Sequence, residues 1–407
     1  MMYLHKVFYA DKKNFESIYK NRLNFEETLR TKLYITPYGQ GESYELYYVY
    51  NRDTAKYIDR IRQNDTILNE LQSCLPVVAQ KAFLIELISG ELQSTNELEG
   101  VQSVKDEIAE TTRKLVTSGR GGNDRFSSMI NSYLMLKDSL KTPKDLKDIR
   151  KIYDEVTSGE IKDSDRPDGT YFRKDVVYVQ KFNAVDGEII HRGILGEERI
   201  ENEVRRLLDF MSEDTVDLLL RIAIGHYYFG YIHPFYDGNG RVSRFIGSLY
   251  LVEKYSYLTA MSLARGSWIK KADYYKAFSK TNLPQNRGEM NGFVDSFLKL
   301  LVAGQEDIID YLNKNLEKLS RAEECIDEDD GLGTNFKKTV MFFLSQNYHF
   351  DYNTGIERRE LINFIDDGVS EYKATQEFEE LERDGYIKRI KNRPITYVLD
   401  TSFIGKL

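Results

Sequence analysis

A twelve-residue segment, HPFYDGNGRVSR at residues 233–244, combines side-chain types that can hold a negatively charged group beside a base. Gly238, Asn239 and Gly240 permit left-handed turns that direct consecutive backbone N–H groups at one anion. The segment follows one helical pattern and opens a second, so the first N–H groups of that second helix are also free. Phosphate is the obvious anion, because the helix dipole favours negative charge at the same place.

Three charged side chains of the segment suit a phosphate and a metal ion. Arg241 and Arg244 stand three residues apart at the start of the second helix, hence on one face, and arginine suits bidentate phosphate contacts. Asp237 would repel phosphates unless a divalent cation lay between them. Mg²⁺ meets this need, because one carboxylate together with substrate phosphates commonly binds it.

His233, the first residue of the segment, can supply a base. An imidazole can take a proton from an alcohol near neutral pH, and the preceding apolar helix would hold it in place. Taken singly, each part of the segment is more often a packed turn, a helix cap or a surface ion pair. Six such features occur together in this one segment between two predicted helices, which favours a functional site. Their combined chemistry predicts nucleophilic attack at a phosphorus atom.

The elements that must position this segment are mostly helical. Apolar residues recur at three- and four-residue spacing through a predicted N-terminal helical region, residues 1–144. The predicted core, residues 145–310, adds a hairpin at 175–193 with its turn at Asp186–Gly187. The helix DLLLRIAIGHYYFGYI, directly before the segment, is strongly apolar and is therefore predicted to be central and buried. A helical linker over 311–333 leads to a last unit.

Residues 334–407 are predicted to form a winged helix-turn-helix, because two short helices are followed by two strands around a turn. The second of these helices, YKATQEFEELERDG, is acidic and would be repelled by DNA phosphate. The wing is basic and contains Lys388, Arg389, Lys391 and Arg393. DNA binding and protein docking therefore both stay open for this unit. The fold class of the whole chain is predicted to be mostly α.

Composition and simple sequence patterns argue against several classes of protein. The chain of 407 residues has a formal net charge of -8, which argues against a polyanion binder as a whole. The N-terminus lacks the basic-then-apolar order of a signal peptide, and no run approaches the roughly 20 apolar residues that span a bilayer. We therefore expect a cytoplasmic protein with no membrane partner. No G-x-x-x-x-G-K-[ST] motif is present, which removes the common P-loop nucleotide site.

HPFYDGNGRVSR resembles the signature of the Fic family, H-P-F-x-[DE]-G-N-G-R-x-x-R, and matches it at every specified position. The resemblance covers roughly residues 145–300 and includes the preceding helix and the upstream hairpin. Family members transfer AMP from ATP and Mg²⁺ to a hydroxyl side chain of a target protein. By this resemblance, His233 deprotonates a Ser, Thr or Tyr of the target and Asp237 binds Mg²⁺. Gly238 to Gly240 would cradle the phosphates, Arg241 would hold them, and the hairpin would be a flap that docks the target chain by strand addition.

A second motif, QSTNELEG at residues 93–100, resembles the inhibitory helix of the same family in the arrangement that precedes the core. Thr95, Glu99 and Gly100 fit its pattern, [ST]-x-x-x-E-[GN]. The resemblance implies that the carboxylate of Glu99 pairs with Arg244. The carboxylate would then occupy the binding position of the γ-phosphate, so that ATP could enter only with its α-phosphate misaligned.

Three further assignments concern the local structure of the second motif, Tyr275 and His226. The motif at residues 93–100 can also be interpreted locally, with Ser94 and Glu97 as a capping box that starts a short helix. Tyr275 lies where family members often place aromatic residues near the adenine, although core packing is the alternative. His226, seven residues before His233, is expected to be a packed core histidine rather than a second catalyst.

Together these patterns predict an autoinhibited protein adenylyltransferase that moves AMP from ATP and Mg²⁺ to a target protein or to itself. Family members with the inhibitory glutamate have also been linked to removal of AMP, so the reverse reaction stays open. One alternative is a DNA-binding regulator whose core only senses a nucleotide, which the intact His233 disfavours. Another is a transferase with a different nucleotide donor. The predicted partners are ATP and a target protein, and a homodimer stays open.

Overall fold

In a computed structural model of the chain, the described residues are all of 1–407 except 119–123, 137–140, 181–188, 352–353, 366–369 and 406–407. The protein is mostly helical, which confirms the predicted fold class. It divides into two compact units: the first comprises Met1–Leu68 and Ile88–Asp307, and the second Asn69–Leu87 and Ile308–Leu407. None of the described helices is both long enough and apolar enough to cross a membrane.

The first unit begins with two helices and a β-hairpin. Their bounds are α1 (Leu4–Ala10), α2 (Phe15–Leu23), β1 (Thr28–Ile35) and β2 (Tyr44–Val49). The expectation of a helical region over residues 1–144 omits this antiparallel hairpin. Its strand sequences, TLRTKLYI and YELYYV, are rich in β-branched and aromatic residues, which favour pleated strands. Alternate residues of β1 are buried toward its C-terminal end, including Leu33 and Ile35.

Long helices follow the hairpin and carry the QSTNELEG motif. Their bounds are α3 (Arg52–Ser73), α4 (Val77–Leu98), α5 (Lys105–Ser118) and α6 (Ser127–Leu134). The motif forms the C-terminal end of α4 rather than a separate short helix. Ser94 and Glu97 therefore lie inside a helix, and the interpretation of these two residues as a capping box is wrong, because such a box requires a helix N-terminus.

The part of the first unit that contains HPFYDGNGRVSR is built around a buried helix. The bounds are α7 (Leu146–Val156), β3 (Tyr178–Gln180), β4 (Ile189–Arg192), α8 (Glu197–Met211), α9 (Leu218–Ile232), α10 (Asn239–Leu251), α11 (Tyr257–Ala260), α12 (Leu263–Ile269), α13 (Lys271–Thr281) and α14 (Asn291–Glu328), of which only the residues up to Asp307 belong to this unit. Every residue of α9 from Leu218 to Phe229 is buried, as its apolar sequence predicts. Strands β3 and β4 pair antiparallel, and the predicted turn at Asp186–Gly187 lies outside the described residues.

The second unit contains the last helices and a three-stranded sheet. The bounds are α15 (Asn335–Phe350), β5 (Ile356–Glu357), α16 (Arg358–Phe364), α17 (Glu371–Arg383), β6 (Ile387–Asn392), β7 (Ile395–Leu399) and α18 (Thr401–Ile404). The antiparallel sheet has the order β5-β7-β6. The rings of Phe378 and Tyr397 stack in its core, with centroids 5.1 Å apart. Helices and a wing-like hairpin thus lie where expected, and the winged helix-turn-helix itself stays a prediction.

Candidate active site

The loop between α9 and α10 owes its shape to two residues in left-handed conformation and to one asparagine side chain. His233 ends α9 with φ of 52°, and Gly238 caps α10 with φ of 81°. The side chain of Asn239 accepts a hydrogen bond from the N–H of Phe235 at 3.0 Å and donates one to the carbonyl of Phe235 at 2.8 Å. Asn239 thus supports the loop with its side chain, so only its backbone N–H would be free for a nucleotide.

The start of α10 offers backbone donors. The N–H of Val242 donates to the carbonyl of Gly238 at 3.0 Å, which is the first bond of the helical ladder. The N–H groups of residues 239–241 precede that bond and have no acceptor within the helix. Together with the positive end of the helix dipole, these amides favour an anion at this end of α10.

Arg241 adds a buried cation to the same end of α10. Its side chain is 0% exposed, and none of its three guanidinium nitrogens has a hydrogen-bond partner among the described residues. The carboxylate of Asp237 lies 3.6 Å from Nη2, within reach of an ion pair but too far for a hydrogen bond. Buried donors without acceptors are costly, and phosphate oxygens are suitable acceptors for a guanidinium.

The C-terminal end of α4 places Glu99 by a specific backbone motif. Gly100 has φ of 72°, a conformation that glycine adopts readily. The N–H of Val101 donates to the carbonyl of Asn96 at 2.9 Å. The N–H of Gly100 donates to the carbonyl of Glu97 at 3.3 Å. This pair of bonds is a Schellman motif, which ends the helix and holds Glu99 at its C-cap.

Glu99 and Thr95 both bind Arg244, which is 0% exposed. The carboxylate Oε1 of Glu99 accepts from Nη2 of Arg244 at 2.7 Å. Thr95 accepts from Nε of Arg244 through its hydroxyl at 2.8 Å and from Nη2 through its carbonyl at 3.1 Å. The same carboxylate lies against Gly240, where an added Cβ would come within 2.0 Å of Oε1. Glu99 therefore reaches the anion-binding end of α10.

His233 has the environment of a neutral base. Its Nδ1 lies 3.3 Å from the carbonyl of Gly230, which favours a proton on Nδ1 and leaves Nε2 as the acceptor. Burial lowers the pKa of His233 to about 4, and repulsion from His191 and Arg173 adds to the effect. The ring is therefore neutral at pH 7. Phosphates bound beside it would raise its pKa toward the range in which a general base works best.

Asp237 is the acid predicted to hold Mg²⁺, and it contributes a single carboxylate. Its side chain is 46% exposed, and one oxygen accepts from the N–H of Gly238 at 2.5 Å. Among the described residues, no group of three or more His, Cys, Asp or Glu side chains could enclose a metal ion. This arrangement fits Mg²⁺ that takes its other ligands from phosphates and water.

Tyr275 contacts α4 rather than an open pocket. Its hydroxyl donates to the carbonyl of Leu98 at 2.5 Å, and Nζ of Lys271 donates to the carbonyl of Glu97 at 3.2 Å. Both side chains of α13 thus bind backbone carbonyls at the C-terminal end of α4. The predicted contact between Tyr275 and adenine stays a prediction, and the observed contact ties Tyr275 to the segment that presents Glu99.

His226 is packed in the core, as expected, and it also belongs to a polar network. Its ring lies 2.8 Å from the hydroxyl of Tyr274 and 2.8 Å from the hydroxyl of Ser243. Burial lowers the pKa of His226 to about 3, so the ring is neutral. The hydroxyl of Tyr274 also accepts from Nη1 of Arg244 at 3.4 Å. His226 thus supports Arg244 through Tyr274.

Sequence analysis did not single out Glu91, which is 0% exposed. Its carboxylate accepts from the N–H groups of Ala264 and Arg265, at 2.8 and 3.0 Å, at the start of α12. Burial raises the pKa of Glu91 to about 8. Glu91, Thr95 and Glu99 are spaced by four residues and share one face of α4, and that spacing was the available signal.

Part of the chain, including the loop at residues 233–244, matches the model of a described family. Residues 143–251 match the model of the Fic/DOC family. The protein adenylyltransferase fic-1 of Caenorhabditis elegans is 24% identical over 157 residues, which are 36% of this chain and 27% of that protein. The chain thus matches about a quarter of the relative's length.

Two solved structures resemble the chain. A Fic family protein from Desulfovibrio desulfuricans G20 has a TM-score of 0.51 at 16% identity, covering 86% of this chain and 97% of that one. A Fic domain containing signaling protein from Bacteroides thetaiotaomicron VPI-5482 has a TM-score of 0.44 at 18% identity, covering 63% of this chain and 97% of that one. At such identity, the first of these matches indicates a shared fold and nothing further.

Proposed function

Because residues 143–251 match the model of the Fic/DOC family, we propose that the chain is an autoinhibited protein adenylyltransferase. It moves AMP from ATP to a hydroxyl side chain of a target protein or of itself. One observation carries this proposal: the carboxylate of Glu99 stands at the start of α10, hydrogen-bonded to Arg244 and in contact with Gly240. A negatively charged side chain therefore takes the position of a negatively charged substrate.

The triphosphate of ATP would bind at the start of α10. The N–H groups of residues 239–241 and the guanidinium of Arg241 would hold the phosphates, and Arg244 would bind the terminal one after Glu99 has left. Asp237 would hold Mg²⁺, which neutralises phosphate charge and fixes the geometry of the triphosphate. In this way the buried donors of Arg241 gain the acceptors that they lack.

His233 would act as the general base. Its Nε2 takes the proton of the target hydroxyl while that oxygen attacks the α-phosphorus, and a new P–O bond forms to the target. The bond between the α-phosphorus and the bridging oxygen breaks, and pyrophosphate leaves with the electron pair. The proton on His233 then passes to solvent, which restores the neutral ring. His233 supplies no atom to the product.

Inhibition would follow from competition for Arg244. While Glu99 occupies the guanidinium, the γ-phosphate of ATP cannot bind there, and the α-phosphate is displaced from the line of attack. Displacement by about 1 Å can cost on the order of a hundredfold in rate. ATP can still enter the site, so the proposal predicts slow chemistry rather than complete loss of binding.

A panel of α-labelled nucleotides tests the proposed reaction. The Glu99→Gly protein is incubated with labelled ATP, GTP, CTP or UTP, with and without cell lysate, beside the Glu99→Gly/His233→Ala protein. We expect label from ATP on protein in the first sample and none in the second. Label from UTP alone would replace the proposed donor, and no label from any nucleotide would contradict the transferase proposal.

Gly100 allows a test of how Glu99 is held in place. We expect Gly100→Val to raise basal AMP incorporation by about tenfold, because left-handed backbone costs a branched residue roughly 1–2 kcal/mol, and each 1.4 kcal/mol is about a tenfold change. Gly100→Asn should stay close to wild type, since asparagine tolerates this conformation. Incorporation of labelled AMP is measured for all three proteins. Equal rates in the Val and Asn variants would show that the Schellman motif does not hold Glu99.

Asp237→Asn tests the metal site in the Glu99→Gly background. Asparagine can still accept from the N–H of Gly238 but carries no charge, so we expect the Mg²⁺ concentration for half-maximal rate to rise by about 10- to 100-fold. Rates are measured across a Mg²⁺ titration at saturating ATP. Asp154→Asn is the matched control, because Asp154 is an exposed acid of α7 that pairs with Arg150. An unchanged Mg²⁺ requirement in Asp237→Asn would exclude Asp237 as a ligand.

A further inference from the structure

Arg173 is a fully buried cation that pairs with no carboxylate of the described residues. Its side chain is 0% exposed, although a buried guanidinium loses much hydration when it leaves water. Burial lowers the pKa of Arg173 to about 10, which still leaves the group charged at neutral pH. A buried charge without an ion-pair partner needs hydrogen bonds to replace its lost hydration. The acceptors of Arg173 therefore indicate its structural role.

The acceptors of the Arg173 side chain among the described residues are backbone carbonyls, two of them at the end of α9. Nε donates to the carbonyl of His233 at 2.8 Å, and Nη2 approaches the carbonyl of Ile232 at 3.4 Å. Nη1 donates to the carbonyl of Asp175, ahead of β3. The backbone N–H of Arg173 also donates to the carbonyl of Pro234 at 3.2 Å. One residue therefore binds three consecutive carbonyls around His233.

This end of α9 needs such support. His233 has φ of 52°, a conformation that is unfavourable for a residue with a side chain and that persists only where its surroundings hold it. A cation beside the last carbonyls of a helix also interacts favourably with the helix dipole. The contact is tight, because a Cβ on Gly193 would come within 2.5 Å of Nη2 of Arg173 and 3.1 Å of Cβ of His233.

The same residue connects the base of the β3–β4 hairpin with the loop that carries His233. Gly193, directly after β4, donates from its N–H to the carbonyl of Val177 at 3.0 Å. The next residue, Ile194, donates to the carbonyl of Ile232 at 3.1 Å. Nη2 of Arg173 approaches the same carbonyl of Ile232. The base of the β3–β4 hairpin and Arg173 therefore share one acceptor at the C-terminal end of α9.

We propose that Arg173 is a positioning residue of the transfer reaction, which holds the backbone of His233 so that its ring faces the incoming hydroxyl. This inference rests on the proposed function, since it assigns to His233 the role of base. Arg173 touches no reacting atom and acts only through His233 and the hairpin base. Its charge has a separate consequence for the ring, which allows the inference to be distinguished from a purely structural role.

The charged and titratable groups that face His233 are Arg173, His191 of β4 and Glu99 of α4. Arg173 and His191 lower the pKa of His233, whereas Glu99 raises it. In a Glu99→Gly background, removal of the charge of Arg173 should therefore raise the pKa of His233. Because a base must be unprotonated, the acid limb of the pH–rate profile would move to higher pH. Burial also lowers the pKa of His233, so loss of packing would move the limb in the same direction, and Arg173→Lys, which keeps the charge, separates the two effects.

The experiment compares Arg173→Gln and Arg173→Lys with the Glu99→Gly parent. For Arg173→Gln we expect kcat to fall by about 10- to 100-fold, with KM for ATP little changed and the acid limb shifted upward. Arg173→Lys keeps the charge but loses the planar fork, so kcat should fall while the acid limb stays in place. An unchanged kcat and an unchanged acid limb in Arg173→Gln would overturn the inference.

A second measurement is independent of activity. The chain has 5 histidines, so ring-labelled histidine permits an NMR titration of His233 in parent and variants. Arg221→Gln is the matched control, because Arg221 is a buried arginine near the start of α9 that donates to the carbonyl of Met211 at 2.5 Å. A higher pKa of His233 in Arg173→Gln, but not in Arg221→Gln, supports the inference, and equal values contradict it. If the parent shows no transfer, the proposed function fails while the titration still tests Arg173.

Discussion

Replacement of Glu99 by glycine is expected to raise AMP incorporation from α-labelled ATP by about a hundredfold. In the wild-type protein the carboxylate of Glu99 binds Nη2 of Arg244 at 2.7 Å and lies against Gly240. Glycine at position 99 removes the charge without adding a side chain, so Arg244 becomes free for the γ-phosphate and the α-phosphate can align. The rate is measured as label on protein per unit time at saturating ATP and Mg²⁺.

The matched control for this prediction is Glu97→Gly. Glu97 is on the same turn of α4 and also carries a carboxylate, but its side chain accepts from Gln93 at 2.8 Å instead of binding an arginine. Both variants place a glycine near the end of α4, where it lowers helix propensity in a similar way. A large increase in Glu99→Gly with little change in Glu97→Gly would isolate the carboxylate at Arg244. Equal incorporation in wild type and Glu99→Gly would refute the inhibitory role.

His233→Ala, introduced into the Glu99→Gly protein, is expected to lower AMP incorporation by about 10²- to 10⁴-fold, the usual contribution of a general base. The lowered pKa of His233, about 4, keeps its ring neutral and able to accept a proton at pH 7. Alanine cannot take the proton of the target hydroxyl, whereas Arg241, Arg244 and the amides of α10 are unchanged. Binding of ATP, measured by calorimetry, should therefore stay close to that of the parent.

Two controls separate lost chemistry from lost structure in His233→Ala. The thermal unfolding temperature is compared with that of the Glu99→Gly parent, because His233 ends α9 in a left-handed conformation that alanine tolerates poorly. His349→Ala removes a histidine of the second unit and should transfer AMP at the parental rate. Label that persists in His233→Ala at the rate of the parent would remove His233 from the mechanism.

The hairpin β1–β2 shows why part of the fold was not predicted. Residues TLRTKLYI and YELYYV contain strand-forming residues, but the segments between and around them are polar and helical patterns dominate the first 144 residues. Strand pairing depends on a partner and on a surface to pack against, neither of which is visible in a local pattern. Helix α9 is the opposite case, since 12 consecutive buried residues follow directly from an apolar sequence.

The motif at residues 93–100 has two interpretations as long as the bounds of its helix are unknown. Ser94 and Glu97 fit a capping box as well as they fit the interior of a helix, because the same residue types occur in both. The length of α4, Val77–Leu98, excludes the first interpretation. Only then does the motif have one meaning: the glycine ends α4 with a left-handed residue, and the preceding glutamate stands at its C-cap.

By itself the sequence determined the parts of the loop at residues 233–244, because neighbours in a short turn between two helices stay close whatever the rest of the chain does. The base, the carboxylate, the glycines and the arginines all lie within twelve residues. A phosphate-binding site with a base can therefore be predicted from them without knowledge of the packing.

Only the tertiary structure showed that Arg173 meets this loop, whereas the pairing of Glu99 with Arg244 was implied by the resemblance to the Fic family and not by residue spacing. Glu99 is 145 residues from Arg244 in the chain, and Arg173 is 60 residues from His233. Such contacts depend on which face each helix buries and on where each helix ends. The hydrophobic effect that packs the helices is not directional, so the spacing of residues along the chain contains no record of these partners.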